Sequence, residues 1–142
     1  MEQAVAELFA RYERLFAEVL AGREEAAAFA ALYTDDVIGA APQGVVAGRT
    51  ADYLGLLAQG FARYRALGTR EMRVTGLDVT PIDAGHCLAR VGWSASYARD
   101  DLPPVTIAFD VHYLVRLHGP EARVFGWIAG DEEEALRRHG VM

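Results

Sequence analysis

The spacing of apolar residues predicts an α+β fold: N-terminal helices packed on one curved, mostly antiparallel sheet of about six strands. Two observations carry that prediction. Helical stripes dominate residues 1–68, whereas from Thr69 onward the apolar period is two. The later runs are also separated by short breaks, at Pro81-Ile82-Asp83-Ala84-Gly85, Asp100-Asp101-Leu102-Pro103-Pro104 and His118-Gly119-Pro120, and tight connections make antiparallel neighbours. With 142 residues, 52% hydrophobic and 24% charged, the chain has the material for one core, read as a single domain over 1–142. A domain of this length hides roughly 70% of its extended-chain surface.

The elements follow in order. Val5, Leu8, Phe9, Tyr12, Leu15, Phe16, Val19 and Leu20 form one helical stripe that Gly22 stops. An alanine-rich helical stretch over roughly Glu24 to Tyr33 is closed by Thr34-Asp35-Asp36. A short apolar strand from Val37 to Ala41 then meets a second across the turn Pro42-Gln43-Gly44. Thr50 is placed to cap a third helix, with Asp52 in its first turn and Tyr53, Leu54, Leu57, Phe61 and Tyr64 on its inner stripe, and Gly68 ends it. Strands are expected at 70–80, 86–98, 104–117 and 122–130. Asp131 with Glu134 three positions on has the form of a capping box for a short last helix.

Charge and composition narrow the function classes. A formal net charge of -6 disfavours polyanionic partners, so neither nucleic acid nor an anionic membrane is expected. All 14 basic residues are arginines, which removes Schiff-base chemistry and a phosphate-loop lysine. No apolar run approaches the roughly 20 residues of a membrane span, and no signal-peptide pattern follows Met1, so a cytoplasmic location is expected. Cys87 is alone, and the histidines at 86, 112, 118 and 139 have no paired spacing; neither a metal nor a cofactor is expected. Ser94 and Ser96 are the only serines, and Gly92-Trp93-Ser94-Ala95-Ser96 lacks the second glycine and the strand-to-helix turn of a nucleophile elbow.

Alternation divides the long strands into two faces. Val91, Trp93, Ala95, Tyr97, Val105, Ile107, Phe109, Val111, Tyr113, Phe125, Trp127 and Ala129 form an odd-numbered apolar set expected to face the helices. Arg90, Ser94, Ser96, Thr106, Asp110, His112 and Arg116 form the reverse face, where Asp110 and His112 stand two apart. Periodicity alone does not tell a lined cavity from a filled core.

Leu32-Tyr33-Thr34-Asp35-Asp36-Val37, then Pro42-x-Gly44, Gly48-Arg49 and the final hairpin from His112 through Ile128 resemble the nuclear transport factor two-like superfamily. That is the cone-shaped, cystatin-like α+β fold of SnoaL-like cyclases, ketosteroid isomerases and scytalone dehydratase. The resemblance covers nearly the whole chain and implies a fold, not a reaction. It also implies a cavity inside the cone for a small apolar or cyclic molecule, with Tyr12, Phe16, Tyr33, Tyr53, Leu57, Trp93, Phe109, Tyr113 and Trp127 as its ligand-binding residues. Homodimers through the outer sheet face are a further implication. Against ketosteroid isomerase, the base position falls at Ala41, which cannot take a proton, and the oxyanion-aspartate position falls at Tyr113. Three readings stand open: a binder, a cofactor-independent isomerase, cyclase or dehydratase, and a dimerising module without ligand. For the enzyme, the candidate catalytic residues are Tyr113 as hydrogen-bond donor and Asp36 or His112 as base.

Overall fold

The computed structural model describes residues 1–142. In chain order it contains α1 (Glu2–Leu20), a 3-10 helix (Ala26–Leu32), β1 (Tyr33–Ala41), β2 (Gly44–Arg49), α2 (Thr50–Leu67), β3 (Thr69–Asp83), β4 (His86–Arg99), β5 (Leu102–His118), β6 (Glu121–Ile128) and α3 (Glu132–Arg138). The six strands form one sheet in the order β2-β1-β6-β5-β4-β3. Every pairing is antiparallel except β1 with β6. The expected class and element order are therefore present. None of the helices is long and apolar enough to cross a membrane.

Several local expectations are corrected. The second helical stretch is 3-10, because its buried residues Ala26, Phe29 and Leu32 repeat every three positions, the period of that helix. Thr34-Asp35-Asp36 does not close a helix: β1 already begins at Tyr33, which pairs with Val124 of β6. Thr50 is the first residue of α2 and not its cap, and its hydroxyl donates to the Thr34 carbonyl at 2.6 Å, tying α2 to β1. Gly68 ends α2 as expected, with a left-handed φ of 85° that a side chain would strain. Asp131 caps α3 by accepting from the Glu134 N–H at 3.0 Å.

The odd-numbered inner face holds along β4 and β5 and breaks in β6. Val115 pairs with Val124 but Leu114 pairs with Gly126, so Phe125 is an extra residue in a bulge. The bulge reverses parity: Ala122 and Val124 face inward before it, Trp127 and Ala129 after it. Phe125 thus leaves the inner set and stands over His86 on the outer side, ring centroids 6.0 Å apart.

Two packed clusters result. The larger joins α1, the 3-10 helix and Phe61 of α2 to the inner faces of β4, β5 and β6. The smaller joins Ala95, Tyr97 and Ile107 to Leu136 of α3 and to Val141 beyond it. Arg65 of α2 donates to the carbonyls of Val19 and Leu20 at the end of α1, and Glu13 of α1 accepts the Val74 N–H of edge strand β3. These contacts fix α1 across the sheet.

Candidate functional site

Between the two clusters lies an open cavity of about 940 Å³, with 17 hydrophobic residues among the 25 that line it. It exists because β6 stops at Ile128, opposite His112, while β4 and β5 continue past it toward the Arg99–Leu102 turn. Beyond that point α3 takes over the inner face, packing Leu136 on Tyr97 and Ile107. Aromatic rings from α1, β1, β4, β5 and β6 wall the space left between.

Of the expected ligand-binding residues, Tyr12, Phe16, Tyr33, Trp93, Phe109, Tyr113 and Trp127 stand on this wall. Tyr53 and Leu57 do not. They lie in the N-terminal half of α2, where Tyr53 sets its hydroxyl against Gly48 of β2 and Leu57 packs on the main cluster. Trp127 fits because Gly39 of β1 has no side chain; a Cβ there would lie 2.4 Å from the indole. Ala41 is also on the wall.

The expected bases are elsewhere. Asp36 is exposed, in register with Arg49 of β2, and borders a shallow groove with Thr34, Asp35, His86, Arg116 and Phe125. His112 points to the outer face by strand parity, in register with Arg90 and Ile128. Asp110 reaches the cavity rim but is held by Arg90 at 2.7 Å.

Inside the cavity four polar side chains share a small network. The Trp93 Nε1–H donates to the Tyr113 hydroxyl at 3.2 Å, and the Tyr12 and Tyr33 hydroxyls lie 2.9 Å apart. An indole nitrogen only donates, whereas a phenol donates one proton and accepts. Four protons therefore meet two hydrogen bonds, and two phenol O–H groups, that of Tyr113 and one of the Tyr12–Tyr33 pair, are left without an acceptor among these side chains. Burial raises all three phenols, Tyr33 and Tyr113 well above the ordinary value, so they remain protonated donors at neutral pH.

The mouth has a different character. Tyr64 of α2, Tyr97 of β4 and the first turn of α3 meet there. Burial and then the charge of Glu132 raise Tyr64, and the same two causes push Tyr97 up to about 12. Desolvation also raises the Glu132 carboxyl, offset in part by the hydrogen bond from Tyr64 and the charge of Arg63. Arg63 is committed to Glu133 at 3.1 Å, and Asp131 is spent on the helix cap. Glu132 makes no ion pair. Its place at the mouth was not legible in Asp131-Glu132-Glu133-Glu134, which reads as four acids at a helix N-terminus. The packing of Leu136 on Tyr97 and Ile107 brings Asp131, Glu132 and Glu133, all exposed, to the rim of the cavity.

The site can thus hold a neutral apolar ring, donate a hydrogen bond to one oxygen, and present one carboxyl at the rim. No group of three or more His, Cys, Asp or Glu is placed to hold a metal ion.

Comparison with solved structures bears on the fold. An NTF2-like protein with a cystatin-like fold from Novosphingobium aromaticivorans superposes with a TM-score of 0.70 at 17% identity, covering 99% of this chain and 88% of the other. An NTF-2 like protein of unknown function from Shewanella oneidensis gives 0.70 at 12% identity, with 92% and 98% covered. A protein of unknown function with a cystatin-like fold from Nostoc punctiforme gives 0.63 at 16% identity, with 92% and 91% covered. No curated protein matches the chain in sequence. Residues 2–132 match the family described as NTF2-like protein (DUF6841), and with helices on a six-stranded sheet in the same cystatin-like arrangement, this chain belongs to that family.

Proposed function

We propose that this protein binds a small, largely apolar, cyclic molecule within its cavity. The single observation that carries the reading is the aromatic-walled space of about 940 Å³, at the upper end of the range of small-molecule sites. Trp93, Trp127, Phe109 and Phe16 supply flat apolar surface, and the phenol protons left without an acceptor supply donors for an oxygen of the ligand. Both tryptophans of the chain line the cavity, so intrinsic fluorescence reports on its contents. A panel of neutral cyclic ketones, lactones and hydrocarbons is expected to shift that emission and raise the melting temperature. An unchanged spectrum and melting temperature across the panel would count against binding and favour a module without ligand.

For assembly we propose a homodimer through the outer sheet face. Val45, Ile38 and Ile128, which are 66%, 43% and 51% exposed, lie side by side there across β2, β1 and β6, with Leu114 next to them. Apolar side chains grouped in this way favour a covering partner. Sedimentation should give a dimer that Ile128→Glu dissociates; a wild-type monomer at micromolar concentration would refute it.

A further inference from the structure

Near the β5–β6 turn, basic side chains stand in a row across the outer face of the sheet. His86 of β4 is in register with Arg116 of β5, and Arg116 with Arg123 of β6. Their chain neighbours Cys87, Val115, Ala122 and Val124 are buried against the helices, so alternation turns all three outward. Like charges directly opposite on adjacent strands repel, and a nearby acid would relieve them. Neither arginine makes an ion pair. The cause is not a shortage of acids, since the chain has 20 Asp and Glu against 14 arginines. The Arg123 Nε–H is also buried without an acceptor, a cost that folded chains rarely leave standing.

A groove of about 330 Å³ opens beside this row, bordered by Arg116, His86 and Phe125 and, on β1, by Thr34, Asp35 and Asp36. Both aspartates are exposed, and neither makes an ion pair. Opposite charges thus border one groove without meeting. Phe125, turned outward by its bulge, gives the groove an apolar wall against the His86 ring, which Asp83 holds at 2.8 Å.

We propose that this groove binds a small zwitterion, an α-amino acid with an apolar side chain. The Arg116 guanidinium takes the carboxylate, with Arg123 beside it; Asp35 or Asp36 takes the ammonium, and Phe125 covers the side chain. A guanidinium fork matches a carboxylate with two parallel, charge-assisted hydrogen bonds. A bare anion such as phosphate meets the aspartates, and a bare amine meets the arginines, so a molecule carrying both signs suits both ends. The groove lies on the face of the sheet opposite the aromatic cavity, and the proposal rests on neither reading above.

The test is an NMR titration of ¹⁵N-labelled protein with L-leucine, N-acetyl-L-leucine and L-leucinamide. The second lacks the ammonium and the third the carboxylate; slightly acidic buffer keeps the free amines charged. Leucine should shift the amides of Asp35, Asp36 and Phe125 and the Arg116 Nε–H saturably, leaving the indole signals of Trp93 and Trp127 in place. Each blocked derivative should bind on the order of 10-fold more weakly, having lost one charge-assisted contact. In Arg116→Gln the difference between leucine and leucinamide should vanish. In a variant with Asp35→Asn and Asp36→Asn, the difference between leucine and N-acetyl-leucine should vanish. No saturable shift with leucine, or shifts confined to the indoles, would overturn the proposal. So would either blocked derivative binding as tightly as leucine, because the groove would then read one charge and not two.

Discussion

The inner face of the sheet meets the helices in two different ways at its two ends. Toward the β5–β6 turn, Cys87, Ala89, Val115, Ala122 and Val124 are at most 1% exposed and share a cluster with Val5, Leu8 and Phe9 of α1. Farther along the same strands, Trp93, Phe109, Tyr113 and Trp127 have the same inward parity and line a cavity instead. The difference lies in what stands opposite. Small residues on β4 and β6 leave a depth that Leu8 and Phe9 fill. At the other end β6 has stopped, α3 packs beyond the gap, and bulky rings hold its walls apart. Alternation thus marks a face as apolar without saying whether that face is filled.

The sharpest way to break this comparison is to remove one ring from each end. Phe9→Ala at the closed end should cost about 3–5 kcal/mol in urea unfolding, because nothing can refill the space. Phe109→Ala, at a lining position already 36% exposed, should cost less than about 1 kcal/mol and lower ligand affinity. Equal losses of stability would mean that the cavity end is packed as tightly as the core.

A smaller effect is expected where the wall meets β1. Gly39→Ala sets a methyl group against the Trp127 indole and should cost about 1–3 kcal/mol with a shift in tryptophan emission. The phenol network comes next. Tyr12→Phe removes a hydroxyl shared with Tyr33 and costs about 1 kcal/mol, whereas replacing Tyr12, Tyr33 and Tyr113 together by Phe should abolish the preference for a ketone over the hydrocarbon of the same shape.

Two pH dependences sharpen the contrast further. Five of the six tyrosines, Tyr12, Tyr33, Tyr64, Tyr97 and Tyr113, have folded-state pKa values above the ordinary value. Their stabilising contribution is complete below about pH 10 and is lost as pH rises from there through the folded values. Absorbance at alkaline pH should therefore show most phenols ionising together with unfolding. Glu132 has a raised folded pKa too, so its contribution is complete below the unfolded value and lost as pH rises through the folded one. Glu132→Gln should slightly raise the melting temperature at neutral pH and leave it unchanged in acid, the smallest of these effects.

Much of the architecture was legible because it follows local rules. The α1 stripe, the αL stop at Gly68, the Asp131 cap and the period of two in β4 and β5 each depend on residues within a turn or a strand of one another. Misplaced features depended on distant partners. Tyr33 is drawn into β1 by Val124, Thr50 serves the Thr34 carbonyl rather than its own helix, and Phe125 is turned outward by a bulge. Seven of the nine expected wall residues line the cavity because inward parity on β4 and β5 survives folding, and because the α1 stripe that carries Tyr12 and Phe16 faces the sheet. Tyr53 and Leu57 are missing because a helix of 18 residues crosses more than one neighbour, and its stripe does not say which.

By itself the sequence determined the class of fold, the order of its elements, which side of each long strand is apolar, and the absence of lysine chemistry. Tertiary structure decided that the aromatic end stays open, that three phenols and an indole carry more protons than there are hydrogen bonds between them, and that the first turn of α3 closes on the cavity mouth. The physical reason is range. Propensity, capping and alternation act between near neighbours along the chain, whereas a void or a spare proton depends on what several distant segments together fail to fill or satisfy.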